Sequence, residues 1–125
     1  MKANELRIGN LIYSSSGGVK YVVGTSYKTI LHSSSLESYT YYEDYDSNCE
    51  PIPLTEEILL KCGAKKTDKE DNFGGFIIYY PNGNGMRIKN NEWSNQHITV
   101  KIEFLHQLQN LYWCLCGKEL TFNNL

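Results

Sequence analysis

The stretch that most constrains this 125-residue chain is Pro81-Asn82-Gly83-Asn84-Gly85, set between the apolar runs Phe76 to Tyr80 and Met86 to Lys89. Asn-Gly tolerates the positive φ angles of a primed two-residue turn, so the segment predicts a β-hairpin. With Asn82-Gly83 or Gly83-Asn84 as the turn, side-chain parity is the same. Ile77, Tyr79, Met86 and Ile88 then share one face; Phe76, Ile78, Tyr80, Arg87 and Lys89 share the other. The first set is an ordinary core face. The second mixes aromatic, aliphatic and cationic groups, which suits a partner surface or a stacked, negatively charged ligand. The competing reading has the C-terminal helix covering Phe76 and Ile78 while Arg87 and Lys89 extend outward along their apolar stems.

Helix signals bracket this hairpin. Thr55 is a good N-cap, Glu56 and Glu57 sit in the first turn and Lys61 in the last, where the helix dipole favours each sign. Leu54 can staple onto Leu59, and Gly63 supplies a left-handed stop. The helix over 55–62 should bury Ile58, Leu59 and Cys62. A longer helix is expected over 103–116, with Leu105, Leu108, Leu111, Tyr112 and Leu115 as its apolar stripe, His106, Asn110 and Trp113 outside it, and Gly117 as the stop. His97 to Ile102 is expected to join the hairpin sheet after an Asn90–Gln96 loop, with Leu120 to Phe122 returning as an edge strand.

The first third reads as β structure over 5–45. Leu6, Ile8 and Ile12 alternate with polar or turn residues around the Gly9-Asn10 bend. Strands are expected at Val19 to Gly24, with Val19, Tyr21 and Val23 on one face, then at Tyr27 to His32 and at Leu36 to Tyr42. Glu43 to Pro53 is turn-rich and reads as a connector, and Lys65 to Asn72 as a charged turn. The expected class is α+β in a single domain, 1–125: an SH3-like or meander β region, a short capped helix, a β-hairpin sheet over 75–102 and a longer C-terminal amphipathic helix.

Twelve Lys+Arg against fourteen Asp+Glu leave a net charge of −2, which argues against duplex DNA as a partner, because such binders carry a basic stripe. The longest apolar run, Leu111 to Cys116, is six residues, far short of the roughly 20 needed to span a bilayer. Met1-Lys2-Ala3-Asn4-Glu5 lacks the apolar stretch of a secretory signal, so a cytoplasmic address and reduced thiols are expected. Of the four cysteines, only Cys114 and Cys116 are close, and on a helix their side chains diverge by about 200°. His32, His97 and His106 are scattered. No metal and no cofactor are expected. No P-loop, dinucleotide fingerprint or Gly-x-Ser-x-Gly elbow occurs, and Glu56-Glu57 is explained by capping, so no enzyme is expected.

Ten tyrosines stand against four Phe and two Trp. Tyr pairs a large apolar body with a polar tip, which suits half-exposed sheet faces and contact surfaces. Tyr39, Tyr41, Tyr42 and Tyr45 are interleaved with Glu43 and Asp44, whose charge repels phosphate and favours protein contacts or strand packing. Tyr39, Tyr41 and Trp113 are therefore the candidate protein-partner residues. Phe76, Tyr80, Arg87 and Lys89 are the candidate ligand-binding residues.

The stretches Lys2-Ala3-Asn4-Glu5-Leu6-Arg7-Ile8-Gly9-Asn10, Pro51-Ile52-Pro53-Leu54-Thr55-Glu56-Glu57-Ile58-Leu59-Leu60-Lys61-Cys62-Gly63 and Leu105-His106-Gln107-Leu108-Gln109-Asn110-Leu111-Tyr112 carry a resemblance. They resemble a group of short, uncharacterised proteins of Bacteroidetes bacteria, their phages and integrated mobile elements. The resemblance implies an accessory protein of such an element, and it carries over no site residues. Such proteins often counter host defence by masking a defence protein or sequestering a nucleotide signal. The leading expectation is a non-enzymatic counter-defence protein that binds a small nucleotide messenger, with a protein–protein inhibitor or adaptor of a host protein as the alternative. A nucleic-acid-binding small barrel comes third. Homo-oligomers are compatible with each reading.

Overall fold

Short alternating runs broken by turn residues build a five-stranded antiparallel sheet in the first of two compact units, Met1–Pro53 with Phe104–Asn110. The second unit comprises Leu54–Glu103 and Leu111–Leu125. The structure is a computed structural model that describes residues 1–37, 40–67, 75–95 and 97–123.

In the first unit, a 3₁₀ turn at Ala3–Glu5 leads to β1 (Leu11–Tyr13), β2 (Val19–Ser26), β3 (Thr29–Ser33), β4 (Tyr42–Tyr45), a second 3₁₀ turn at Asp46–Asn48, and β5 (Glu50–Pro51). The spatial order β4-β3-β2-β1-β5 is a meander whose fifth strand returns beside the first. This order is consistent with the expected SH3-like or meander β region. Ile12, Val22 and Ile30 are each fully buried and pack with Ala3 and Cys49, and Met1 and Leu6 lie against them. Each such aliphatic side chain contributes about 1.5–3 kcal/mol by leaving water.

Several strand boundaries differ from expectation. Leu6 to Ile8 forms no strand, and Ile8 is 63% exposed, because Arg7 N–H donates to Asn10 Oδ1 at 2.7 Å and closes the Arg7–Asn10 bend instead. Val22, rather than Val19, Tyr21 or Val23, is the buried residue of β2: it faces the core with Ile12, and a register shift between Val22 and Gly24 marks a β-bulge beyond it. The strand expected at Leu36 to Tyr42 lies instead at Tyr42–Tyr45, inside the stretch read as a connector, where pairing with β3 overrides the weak local preference of Glu and Asp for strands. Ser38 and Tyr39 fall outside the described residues.

In the second unit, α1 (Glu56–Lys61) begins where its capping grammar requires, with Thr55 Oγ1 accepting from Ile58 N–H at 3.2 Å. It is followed by β6 (Lys65–Lys66), β7 (Phe76–Tyr79), β8 (Gly85–Ile88), β9 (Glu92–Ser94) and β10 (Thr99–Lys101). β6, β7 and β8 form one antiparallel sheet, while β9 and β10 pair with each other. The third strand beside the hairpin is thus Lys65–Lys66, read from the sequence as a turn, and not the His97–Ile102 segment. Part of the expected Asn90–Gln96 loop is a tight turn instead. Asn90 and Asn91 both hold positive φ (53° and 57°), and Lys89 and Glu92 bond to each other across them.

The last helix, α2 (Leu105–Cys116), contributes Leu105–Asn110 to the first unit and the remainder to the second. Gln107 Oε1 accepts from Phe104 N–H at 3.1 Å, half of a capping box. Leu105, Leu108 and Tyr112 are buried as the stripe predicts, but so are His106 and Gln109, and Leu115 is exposed. Leu120 is buried, yet Leu120 to Phe122 forms no strand.

Candidate functional site

The β7–β8 turn determines which side chains meet. Phe76 pairs with Ile88, Ile77 with Arg87, Ile78 with Met86 and Tyr79 with Gly85, one residue out of the expected register. The loop has three residues, not two. Gly83 N–H donates to Tyr80 O at 3.0 Å, Tyr80 N–H donates to Asn84 O at 2.6 Å, and Gly83 takes φ +93°. Proline's ring favours the second position of a type I turn, so Pro81 starts the turn and Gly83 closes it in the left-handed conformation. A one-residue change swaps the faces.

Ile78, Met86 and Ile88 therefore line the buried side together with half-buried Phe76. The expected quartet is divided. Phe76 and Lys89 meet at a cleft of about 420 Å³ that also includes Glu56, Leu59, Asn90 and Asn91. Tyr80 packs against Tyr112 of α2, with ring centroids 5.7 Å apart and planes at 51°. Burial, and the neighbouring Cys116, push the Tyr80 hydroxyl pKa up. Tyr80 is a packing residue. Arg87 lies on the opposite, exposed side of the sheet.

That exposed side carries an aromatic and basic group of different membership. Lys65, Ile77 and Arg87 form one row across β6, β7 and β8, and Tyr79 is next along β7. Tyr79 is 50% exposed, and Lys65 Nζ lies 5.9 Å from its ring centroid. Gly85 faces Tyr79, so no β8 side chain stands directly across from the ring. These five positions hold two cations and no carboxylate, in a chain of net charge −2. The sequence reasoning missed Lys65 and Tyr79. The signal that could have found them was Pro81, since a proline directly before Asn-Gly favours the three-residue loop.

The partner-surface candidates also separate. Tyr39 lies outside the described residues. Tyr41 is 60% exposed beside β4, an edge strand on which Tyr42 and Tyr45 are similarly exposed. Trp113 is 42% exposed on the part of α2 that belongs to the second unit. His106, expected outside the helix stripe, is 98% buried, because Leu105, Leu108 and Gln109 around it are buried too and place this whole turn inside. Its ring stacks on Phe104 at 6.0 Å, and neither ring nitrogen has a hydrogen-bond partner; Glu5 Oε2 stands 3.9 Å from Nε2, beyond bonding reach.

Burial lowers the His106 pKa, with Glu5 opposing and the α-amino group assisting. A base whose folded pKa is lowered binds its proton more readily when unfolded. Its stabilising effect is complete above the unfolded value, about 6.5, and is lost as pH falls below it. The thermal midpoint of the first unit is expected to drop between about pH 7 and pH 5, and His106→Gln to flatten that slope. Midpoints measured across this range, with an unchanged slope in the variant, would remove His106 as the cause.

Nucleophiles and metal donors are few among the described residues. Burial pushes the Cys62 thiol up to about 12, and burial with Asp44 and Asp46 pushes Cys49 up to about 11, so neither supplies a thiolate at neutral pH. One group of metal-ligating side chains occurs, His32 with Asp44 and Cys49 in the first unit. No described helix is long and apolar enough to cross a membrane. No protein family matches this chain, and no curated protein or solved structure matches it either.

Proposed function

We propose that this chain acts by binding, without making or breaking bonds, and that the exposed face of the β6–β7–β8 sheet takes a small nucleotide messenger. The observation that carries the reading is the Lys65–Ile77–Arg87 row beside the half-exposed ring of Tyr79. A base can stack on the phenol ring while its phosphates sit by the two cations. The raised pKa values of Cys49 and Cys62 speak against these two thiols as nucleophiles. The biological setting proposed, from the resemblance in the three sequence stretches, is an accessory protein of a phage or mobile element acting in the bacterial cytoplasm against host defence.

The test is calorimetric titration with a panel of linear and cyclic nucleotides and, separately, short single-stranded nucleic acid. One nucleotide is expected to bind, and Tyr79→Ala to cost about 1–3 kcal/mol of that binding, the worth of one stacked base. Arg87→Ala should weaken it in a salt-dependent way, while Lys89→Ala, at the cleft with Phe76 and outside the Lys65–Ile77–Arg87 row, should not. A panel with no binder would end this reading. Binding of single strands alone would transfer the face to the nucleic-acid alternative.

A second reading is favoured by Tyr41, Tyr42 and Tyr45, exposed by 60%, 60% and 65% at a sheet edge. An edge strand offers unpaired backbone groups as well as aromatic area, so a host protein could add there. Introducing a charge is the discriminating probe, since a protein partner lost on Tyr42→Lys, with nucleotide binding intact, separates the two surfaces.

A further inference from the structure

Two adjacent strands and the turn after them bring three different donor atoms together in the first unit. β3 supplies His32, β4 supplies Asp44, and Cys49 follows the 3₁₀ turn at Asp46–Asn48. The pairing Ile30↔Asp44 and His32↔Tyr42 sets the imidazole and carboxylate diagonally across the ladder, and His32 Nε2 lies 2.7 Å from Asp44 Oδ2. An imidazole nitrogen, a carboxylate oxygen and the Cys49 sulfur all lie within 4.8 Å of one another. Both His32 and Cys49 are 4% exposed.

We propose that His32, Asp44 and Cys49 bind a divalent transition-metal ion of the zinc class. Metal–ligand lengths of about 2.0–2.3 Å in a tetrahedral centre space the donors roughly 3.2–3.8 Å apart. The observed triangle reaches that geometry by opening the His32–Asp44 contact and drawing in the sulfur, each by about an ångström or less. Three protein donors leave the fourth position to water. The nitrogen, sulfur and oxygen set suits zinc or cobalt rather than calcium or magnesium, which take oxygen alone.

His32 Nδ1 is buried and has no hydrogen-bond partner, so the ring is held through Nε2. The carboxylate is also oriented from outside, since Ser15 Oγ donates to Asp44 Oδ2 at 3.2 Å. Asp44 and Asp46 both oppose thiolate formation at Cys49 in the metal-free protein. A dication inverts that balance, and the thiol proton passes to solvent as the sulfur binds.

The experiment starts from chelator-treated full-length protein dialysed against buffered zinc in the micromolar range, followed by elemental analysis, with cobalt as the spectroscopic probe. One equivalent of zinc is expected, together with a sulfur-to-cobalt charge-transfer band. Asp44→Asn should lower affinity by about tenfold or more, and Cys49→Ser should abolish the band. Each variant is checked for a native amide spectrum. The Cys114→Ser/Cys116→Ser double variant should leave uptake and band unchanged. Substoichiometric uptake by the parent protein, which needs no variant to fold, overturns the proposal. So does a band lost with Cys114 and Cys116 but kept in Cys49→Ser; the His32–Asp44 contact is then only a tie between β3 and β4.

Discussion

Gly75→Ala is expected to lower the unfolding free energy of the second unit by about 2–5 kcal/mol, the sum of a conformational and a steric cost. Gly75 holds φ +88°, where a side chain is disfavoured whatever the space around it. A Cβ there would also stand 2.3 Å from the Ile88 carbonyl oxygen and 3.2 Å from Lys89 Cα, both backbone atoms. The chain cannot simply move aside, because the Gly75 carbonyl accepts from Thr67 N–H at 2.9 Å and from Thr67 Oγ1 at 3.0 Å. Shifting it would break contacts that tie it to Thr67, next to β6.

Gly83→Ala is the internal control. Gly83 has nearly the same backbone conformation, φ +93°, but nothing lies within 4 Å of a Cβ placed on it. It should lose only the conformational part, about 1–2 kcal/mol. Both tryptophans, Trp93 and Trp113, lie in the second unit, so urea unfolding followed by their fluorescence reads this unit directly. Equal losses in the two variants would show that β8 yields at Ile88, and the steric account would be wrong.

The contrast between these glycines also shows what the sequence exposes and what it hides. The cap at Thr55, the stop at Gly63 and the stripe Leu105, Leu108, Tyr112 depend on neighbours within a few residues, and they were legible. The hairpin was legible as a hairpin, but its register turned on whether Pro81 closes a strand or opens a turn. That single difference exchanged Phe76 and Tyr80 for Lys65 and Tyr79 beside Arg87. Lys65–Lys66 reads as a charged turn because two lysines have no apolar pattern; they become a strand by pairing with β7. His32, Asp44 and Cys49 follow no ligand spacing, since strand pairing and a 3₁₀ turn assemble them. Gln109 was invisible for the same reason: its partners are about a hundred positions away in the chain.

Gln109→Leu should cost the first unit about 2–5 kcal/mol, although it exchanges a buried amide for an apolar group of similar size. Gln109 is 1% exposed, and its Oε1 accepts from Leu11 N–H at 2.8 Å while its Nε2 donates to Gly9 O at 3.0 Å. Leucine leaves that amide and that carbonyl buried and unpaired, and each costs about 1–3 kcal/mol. The same bend is held on its other side by Asn110, whose Oδ1 accepts from Asn10 Nδ2 at 2.8 Å and Arg7 Nε at 3.1 Å, so it cannot turn outward to find water. Gln109→Glu gives a second signature. A protonated glutamic acid can donate to Gly9 O, but its carboxylate cannot, so burial and that carbonyl raise its folded pKa above the unfolded value of about 4.3. Measured against the parent at each pH, this variant should be nearly as stable near pH 4 and lose stability as pH rises through the folded pKa. Gln109→Leu should lose a constant amount. Amide exchange at Leu11 reports the same event locally, with protection falling in the leucine variant; protection unchanged in both would mean the bend is held by Asn110 alone.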